Sequence, residues 1–150
     1  MIQLRQVTHE EARAVLDGAA LPFAHAVDWP HADTFDAFRS LADHPEDTGP
    51  GTFLVLSDGV VVGDCGWFGP PDGAGEVEIG YGLAPSARGR GLGTACVAAL
   101  IDWVGAQGAA RVRAEVLPGN TPSLQLLRRL GFDVTGEHAG HLVLQRDLGV

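Results

Sequence analysis

A strand-like run over residues 76–83 passes through Ala84 and Pro85 into the turn Arg88-Gly89-Arg90-Gly91-Leu92-Gly93-Thr94, which opens directly onto a long apolar helix. No other stretch restricts the fold as strongly. The first turn of a helix leaves backbone N–H groups without intrahelical partners. Gly91 and Gly93 let another molecule approach those groups closely, and Arg88 and Arg90 add positive charge in a chain whose formal net charge is -9. The arrangement predicts an anion site reinforced by the helix dipole. Taken alone, the glycines would equally suit a tightly packed turn.

Two common phosphate-binding plans fail on particulars. A dinucleotide fingerprint wants glycine where Thr94 stands and follows the first strand of a parallel unit, whereas here a hairpin comes first. A nucleoside triphosphate loop wants a lysine, and the chain contains none. The same absence excludes a lysine Schiff base.

The remaining elements follow from periodicity and end signals. Residues 2–7 alternate as a first strand. Thr8 and Glu11 form a capping box ahead of a helix carrying Ala12, Val15 and Leu16, which Gly18 ends. Between Leu21 and Pro50 the chain is irregular, with Pro22, Pro30 and Pro45 as punctuation and one helical run over 33–42, where Phe35, Phe38, Leu41 and Ala42 share a face. An acceptor pocket is expected in this region, since loops held on a scaffold carry specificity. Strands are expected over 52–56 and 60–67 around an Asp58-Gly59 hairpin. In the fourth strand Glu76, Glu78, Gly80 and Gly82 share one side, and Val77, Ile79, Tyr81 and Leu83 the other. The helix after Gly91 carries an apolar stripe of Leu92, Ala95, Cys96, Ala99, Leu100, Trp103 and Val104. A fifth strand over 111–117, a helix over 120–130 with Pro122 in its first turn, and short strands near 132–135 and 142–144 complete the order.

With 150 residues, 45% hydrophobic and 19% charged, the chain suits one folded domain, 1–150, around one core. It has no apolar window of membrane-spanning length and no signal-peptide plan, so a cytoplasmic location is expected, with no membrane partner. Cys65 and Cys96 have no metal-ligand spacing and read as reduced core residues; no metal is expected. The acidity argues against nucleic acid, whose binding rests on neutralised phosphates. It either keeps the surface soluble or suits a cationic partner.

Arg88, Gly91 and Gly93 match a pattern of Arg or Gln, two residues, Gly, one residue, then Gly or Ala. This resembles the cofactor motif of the GNAT superfamily of acyl-CoA-dependent N-acetyltransferases. A second block, Asn120-Thr121-Pro122-Ser123 ending in Leu130-Gly131-Phe132, lies where that family places it. Val77-Glu78-Ile79-Gly80-Tyr81 and Ala114-Glu115-Val116 look like the Rim-type ribosomal-protein acetyltransferase branch. The resemblance covers residues 52–146 well and the first fifty by element order.

It implies an α/β (α+β) fold: a mixed, mostly antiparallel seven-stranded sheet with splayed fourth and fifth strands, flanked by about four helices. It also implies acetyl-CoA as co-substrate. The diphosphate would lie on Arg88, Gly89, Arg90, Gly91, Leu92, Gly93 and Thr94. The pantetheine arm would pair with backbone near Gly82, Leu83 and Ala84, with Asn120 holding it and an N–H near Leu83 polarising the donor carbonyl. A primary amine, either a protein N-terminus or a small cationic amine, would attack directly, because neither cysteine has an activating setting. Glu78 is the first candidate base, acting through water, and His141 a weaker one; a solvated strand residue is the alternative for Glu78.

Many relatives carry a tyrosine seven residues after the asparagine, where this chain has Leu127. Tyr81 falls on the opposite side of its strand from Glu78, so the thiolate's proton is assigned to Ser123, for which helix capping is the alternative. Arg128 and Arg129 suit the helix dipole, and Trp29, Trp67 and Phe68 suit the core. A monomer or homodimer fits equally. The missing tyrosine keeps a rival reading open, a non-catalytic acyl-CoA-binding sensor or partner subunit.

Overall fold

The structure is a computed structural model that describes residues 2–43 and 51–149. Pro45 and Pro50, named above, lie outside the described residues. In chain order the elements are β1 (Ile2–Gln6), α1 (His9–Leu16), α2 (Ala32–Asp43), β2 (Thr52–Ser57), β3 (Val60–Trp67), β4 (Glu76–Leu83), a 3-10 turn (Pro85–Ala87), α3 (Leu92–Ala106), β5 (Arg111–Val116), α4 (Thr121–Arg129), β6 (Asp133–His138) and β7 (His141–Asp147). The strands form a seven-stranded sheet in the order β1-β2-β3-β4-β5-β7-β6. Every neighbouring pair is antiparallel except β4–β5, which is parallel. This is the mixed fold that the resemblance implies.

The local signals act as expected at several ends. Thr8 Oγ1 accepts from Glu11 N and Glu11 Oε1 accepts from Thr8 N, each at 3.0 Å, so the capping box starts α1. The last hairpin is longer than periodicity suggests, running from Asp133↔Gln145 to the His138↔His141 pair. All of β6 is exposed, so no apolar alternation marks its length.

Two cores cover the two faces of the sheet. Phe53, Val55, Val77, Ile79, Leu100, Val104, Leu127 and Leu144 pack beneath α3 and α4. Val7, Val15, Trp29, Phe38, Leu54 and Val61 pack beneath α1 and α2. Alternate residues of β2 thus enter different cores, as period-two geometry requires. The stripe of α3 differs from the expected one. Cys96, Val97, Leu100, Ile101 and Val104 are buried, and Ala95 is exposed. The helix is apolar on nearly all sides, so contact with the sheet, not composition, selects its inner face. Trp29 belongs to the core and Trp67 packs on Trp103, with ring centroids 4.6 Å apart, whereas Phe68 is 73% exposed.

Candidate active site

β4 and β5 share three rungs, Glu76↔Arg111, Val77↔Val112 and Glu78↔Arg113. Beyond Glu78 they part, while β4 stays paired with β3 through Gly63↔Leu83. Phe68 N donates to Glu78 O at 2.9 Å and Ala84 N to Val62 O at 2.8 Å. Antiparallel alternation then turns the backbone groups of Glu78, Gly80, Gly82 and Ala84 toward β3, and those of Ile79, Tyr81 and Leu83 toward the gap. Leu83 is therefore well placed to offer its N–H to a guest. Ala84 is not: its amide serves Val62 and its carbonyl accepts from Ala87 N at 2.9 Å. The gap forms a cavity of about 300 Å³ whose lining includes Gly80 and Tyr81 of β4, Asp33, Asn120, Ser123 and His141.

At the end of β4 the chain reaches the glycine-rich turn. Gly91 caps α3 with φ 75°, a conformation that costs any residue with a β-carbon. Among the described residues no hydrogen bond takes an amide from Gly89 through Thr94 as donor, and the helix ladder begins with Ala95 N to Gly91 O at 3.3 Å. Arg90 is exposed beside these amides, and Arg88 Nε donates to Leu83 O at 3.3 Å. Asp28, distant in sequence, braces the chain just before the turn: its carboxylate accepts from Ser86 N at 2.7 Å and Ser86 Oγ at 2.6 Å. Those bonds hold the Asp28 carboxyl below the usual carboxylate range. Nothing local in the sequence signals this link across 58 residues.

Tyr81 requires a correction. Its hydroxyl is hydrogen-bonded to Ser123 Oγ. The alternation along β4 was read correctly, but α4 covers the Tyr81 face, so the tyrosine lies on the side of the thiolate assignment rather than away from it. Burial pushes the Tyr81 hydroxyl above its ordinary pKa, which keeps it protonated and able to donate. Asn120 Oδ1 accepts from Ser123 N at 3.3 Å. The capping role weighed for Ser123 thus falls to Asn120, through its side-chain oxygen. Leu127 is fully buried.

Glu78 lies beside a charged network. Its Oε1 is 3.7 Å from Arg113 Nε, Arg113 Nη2 donates to Glu115 Oε2 at 2.6 Å, and His138 Nδ1 lies 3.3 Å from Glu115 Oε1. Burial, and next the Glu115 charge, push the Glu78 carboxyl above its usual range, while Arg113 and His138 pull it back. Arg113 and His138 were not singled out from sequence, since they reach Glu78 only through strand pairing. His141 lines the gap, with Nδ1 3.4 Å from Ala139 O. Arg129 Nε donates to Gln125 O at 3.3 Å, within the last turns of α4. Among the described residues no group of three His, Cys, Asp or Glu side chains is placed to hold a metal ion, and no helix is long and apolar enough to cross a membrane.

A sheet that opens beside unbonded amides at a helix start gives this fold an unpaired strand edge next to free N–H donors. Residues 2–133 match the acetyltransferase (GNAT) domain, and the chain belongs to that family. The uncharacterized N-acetyltransferase YjdG of Bacillus subtilis strain 168 is 30% identical over 112 residues, covering 70% of this chain and 67% of its own. The L-methionine sulfoximine/L-methionine sulfone acetyltransferase of Pseudomonas aeruginosa is 39% identical over 89 residues, covering 56% and 52%. Mycobacterium smegmatis RimJ, solved in complex with CoA-disulfide, superposes with a TM-score of 0.69 at 25% identity, covering 98% of this chain and 82% of that one. The chain spans about half the length of some curated relatives it matches.

Proposed function

We propose that this protein transfers the acetyl group of acetyl-CoA to a primary amine by direct attack. The parting of β4 and β5 beside the unbonded amides of residues 89–94 carries the reading. The diphosphate rests on those amides with Arg90 alongside. The pantetheine arm lies in the gap as an added strand against Tyr81 and Leu83, within reach of the Asn120 NH₂. The Leu83 N–H polarises the donor carbonyl as charge develops on its oxygen.

An alkylamine with a pKa near ~10.4 arrives as an ammonium and must lose a proton before it can attack. Glu78 takes that proton through water. The departing thiolate is protonated from the Tyr81–Ser123 pair, which supplies the hydroxyl whose apparent absence had kept the non-catalytic reading open. An acyl-enzyme is disfavoured by the cysteines: both are buried, and contact with Cys96 together with burial pushes the Cys65 thiol well above its ordinary pKa.

The acceptor class is a peptide N-terminus or a small cationic amine. The first is supported by likeness to RimJ. The second is supported by the net charge of -9 and by the relative that acts on small amino-acid derivatives. Thiol release from acetyl-CoA, measured against N-terminal peptides, polyamines and amino-acid sulfoximines, tests the reading. Turnover with at least one amine is expected. Absence of both thiol release and acetyl-CoA binding would refute it.

A further inference from the structure

The opposite face of β4 carries a histidine that the proposed chemistry leaves unused. Asp64 on β3 stands directly across from Gly82 on β4, so the two share a sheet face. The chain entering α2 lays His31 over them. Gly82 leaves room for the imidazole: a β-carbon there would lie 2.9 Å from His31 Cε1 and 3.3 Å from Nε2.

His31 Nε2 is buried without a hydrogen-bond partner among the described residues and lies 3.9 Å from Asp64 Oδ2. Asp64 is 4% exposed, and the same oxygen accepts from Trp29 Nε1 at 3.0 Å and Thr34 Oγ1 at 2.5 Å. His31 N in turn donates to Thr34 Oγ1 at 3.3 Å. The carboxylate is thereby locked behind the ring. A carboxylate facing one imidazole nitrogen favours the tautomer protonated there and leaves the other nitrogen, Nδ1, as a proton acceptor.

We propose that His31, oriented by Asp64, accepts the proton that the acceptor nitrogen loses as it bonds to the acetyl carbon. The assignment rests on the transferase reading above and extends it. An ammonium sheds two protons in becoming an amide, so two acceptors have distinct work. Glu78 receives the first through water, before attack. Then the amine's electron pair forms the C–N bond and the carbonyl π pair moves onto the oxygen held by Leu83 N–H. The second N–H proton passes to His31 Nδ1, giving an imidazolium opposite Asp64. The C=O bond reforms, the C–S bond breaks, and sulfur takes a proton from the Tyr81–Ser123 pair; both sites re-equilibrate with solvent. Position supports this division. His31 contacts Gly82, next to Leu83, whereas Glu78 is four residues along an extended strand, about 13 Å from Gly82 at ~3.3 Å per residue. The charge facing the ring is Asp64 from β3, whose carboxyl in turn feels Asp33 at the start of α2; from β4, Gly82 lies against the ring, and Glu78 is further along the same side.

The test compares wild type, H31Q, H31N, D64N and E78Q for kcat and kcat/KM across pH, for acetyl-CoA affinity, and for thermal unfolding. It also reads the His31 tautomer by ¹⁵N NMR of the full chain. H31Q is expected to lower kcat on the order of 10²-fold with acetyl-CoA affinity unchanged. D64N is expected to lower kcat less than H31Q does and to reduce the Nε2–H tautomer of the ring in the ¹⁵N spectrum, because the carboxylate facing that nitrogen is lost. The wild-type ring is expected to carry its proton on Nε2. An active wild type whose H31Q and H31N variants keep its rate and pH profile overturns the role of His31 alone, as does a ring protonated on Nδ1. A wild type that binds no acetyl-CoA overturns the transferase reading and this role with it.

Discussion

Tyr81 and Ser123 are joined by a hydrogen bond, and in the proposed mechanism that contact sets what single substitutions do. Tyr81→Phe removes the hydroxyl that burial keeps protonated, and steady-state kinetics should show kcat lowered on the order of 10²-fold with little change in KM for acetyl-CoA. Ser123→Ala alone should cost less, because the tyrosine hydroxyl remains, and the double variant should lose less than the two singles combined. Glu78 makes a pH prediction. In its proposed role as a base it would work ionised, and its pKa is raised by burial and by Glu115. The rate should therefore fall on acidification at a higher pH than an ordinary carboxylate would give. Glu78→Gln should abolish that limb of the kcat/KM profile. Arg113→Ala, by removing the guanidinium that favours the ionised form, should move it to still higher pH.

Among the elements, α3 depends on how it begins. Its first turn is held open by Gly91 at φ 75°, and a β-carbon in that region costs about 1–2 kcal/mol. Gly91→Ala should therefore lower Tm by about 2–8 °C in a chain of this size, read by circular dichroism, and weaken coenzyme A binding by calorimetry because the amides turn with the backbone. The β4–β5 pair shows the complementary design. Three rungs anchor it, and the remaining length of β4 is held from β3 alone, so an edge inside the sheet stays available for a guest. A strand paired on both sides would be more stable and would have no site.

For the molecule as a whole, cofactor and fold are linked by mass action. A ligand at ~100 times its dissociation constant that binds only the native state adds about 2.7 kcal/mol, which corresponds to a Tm rise of about 5–11 °C. Thermal unfolding with acetyl-CoA should show that rise, and NAD and ATP should not. What the chain's sequence settled is local. The capping box at Thr8, the Asp58-Gly59 hairpin, the alternation of β4 and the glycine turn at 88–94 each depend on residues a few positions apart. The order of elements followed from them, and the turn marked the candidate anion site before any packing was known. Tertiary structure decided what depends on register and on which face meets which helix. Tyr81 joins Ser123 because α4 covers that side of the sheet, Glu78 meets Arg113 across a parallel rung, and His31 lies on Gly82 in front of Asp64. Those partners stand 42, 35 and 51 positions apart. No local periodicity reaches that far, since a side chain's partner across the fold is set by how whole strands and helices pack.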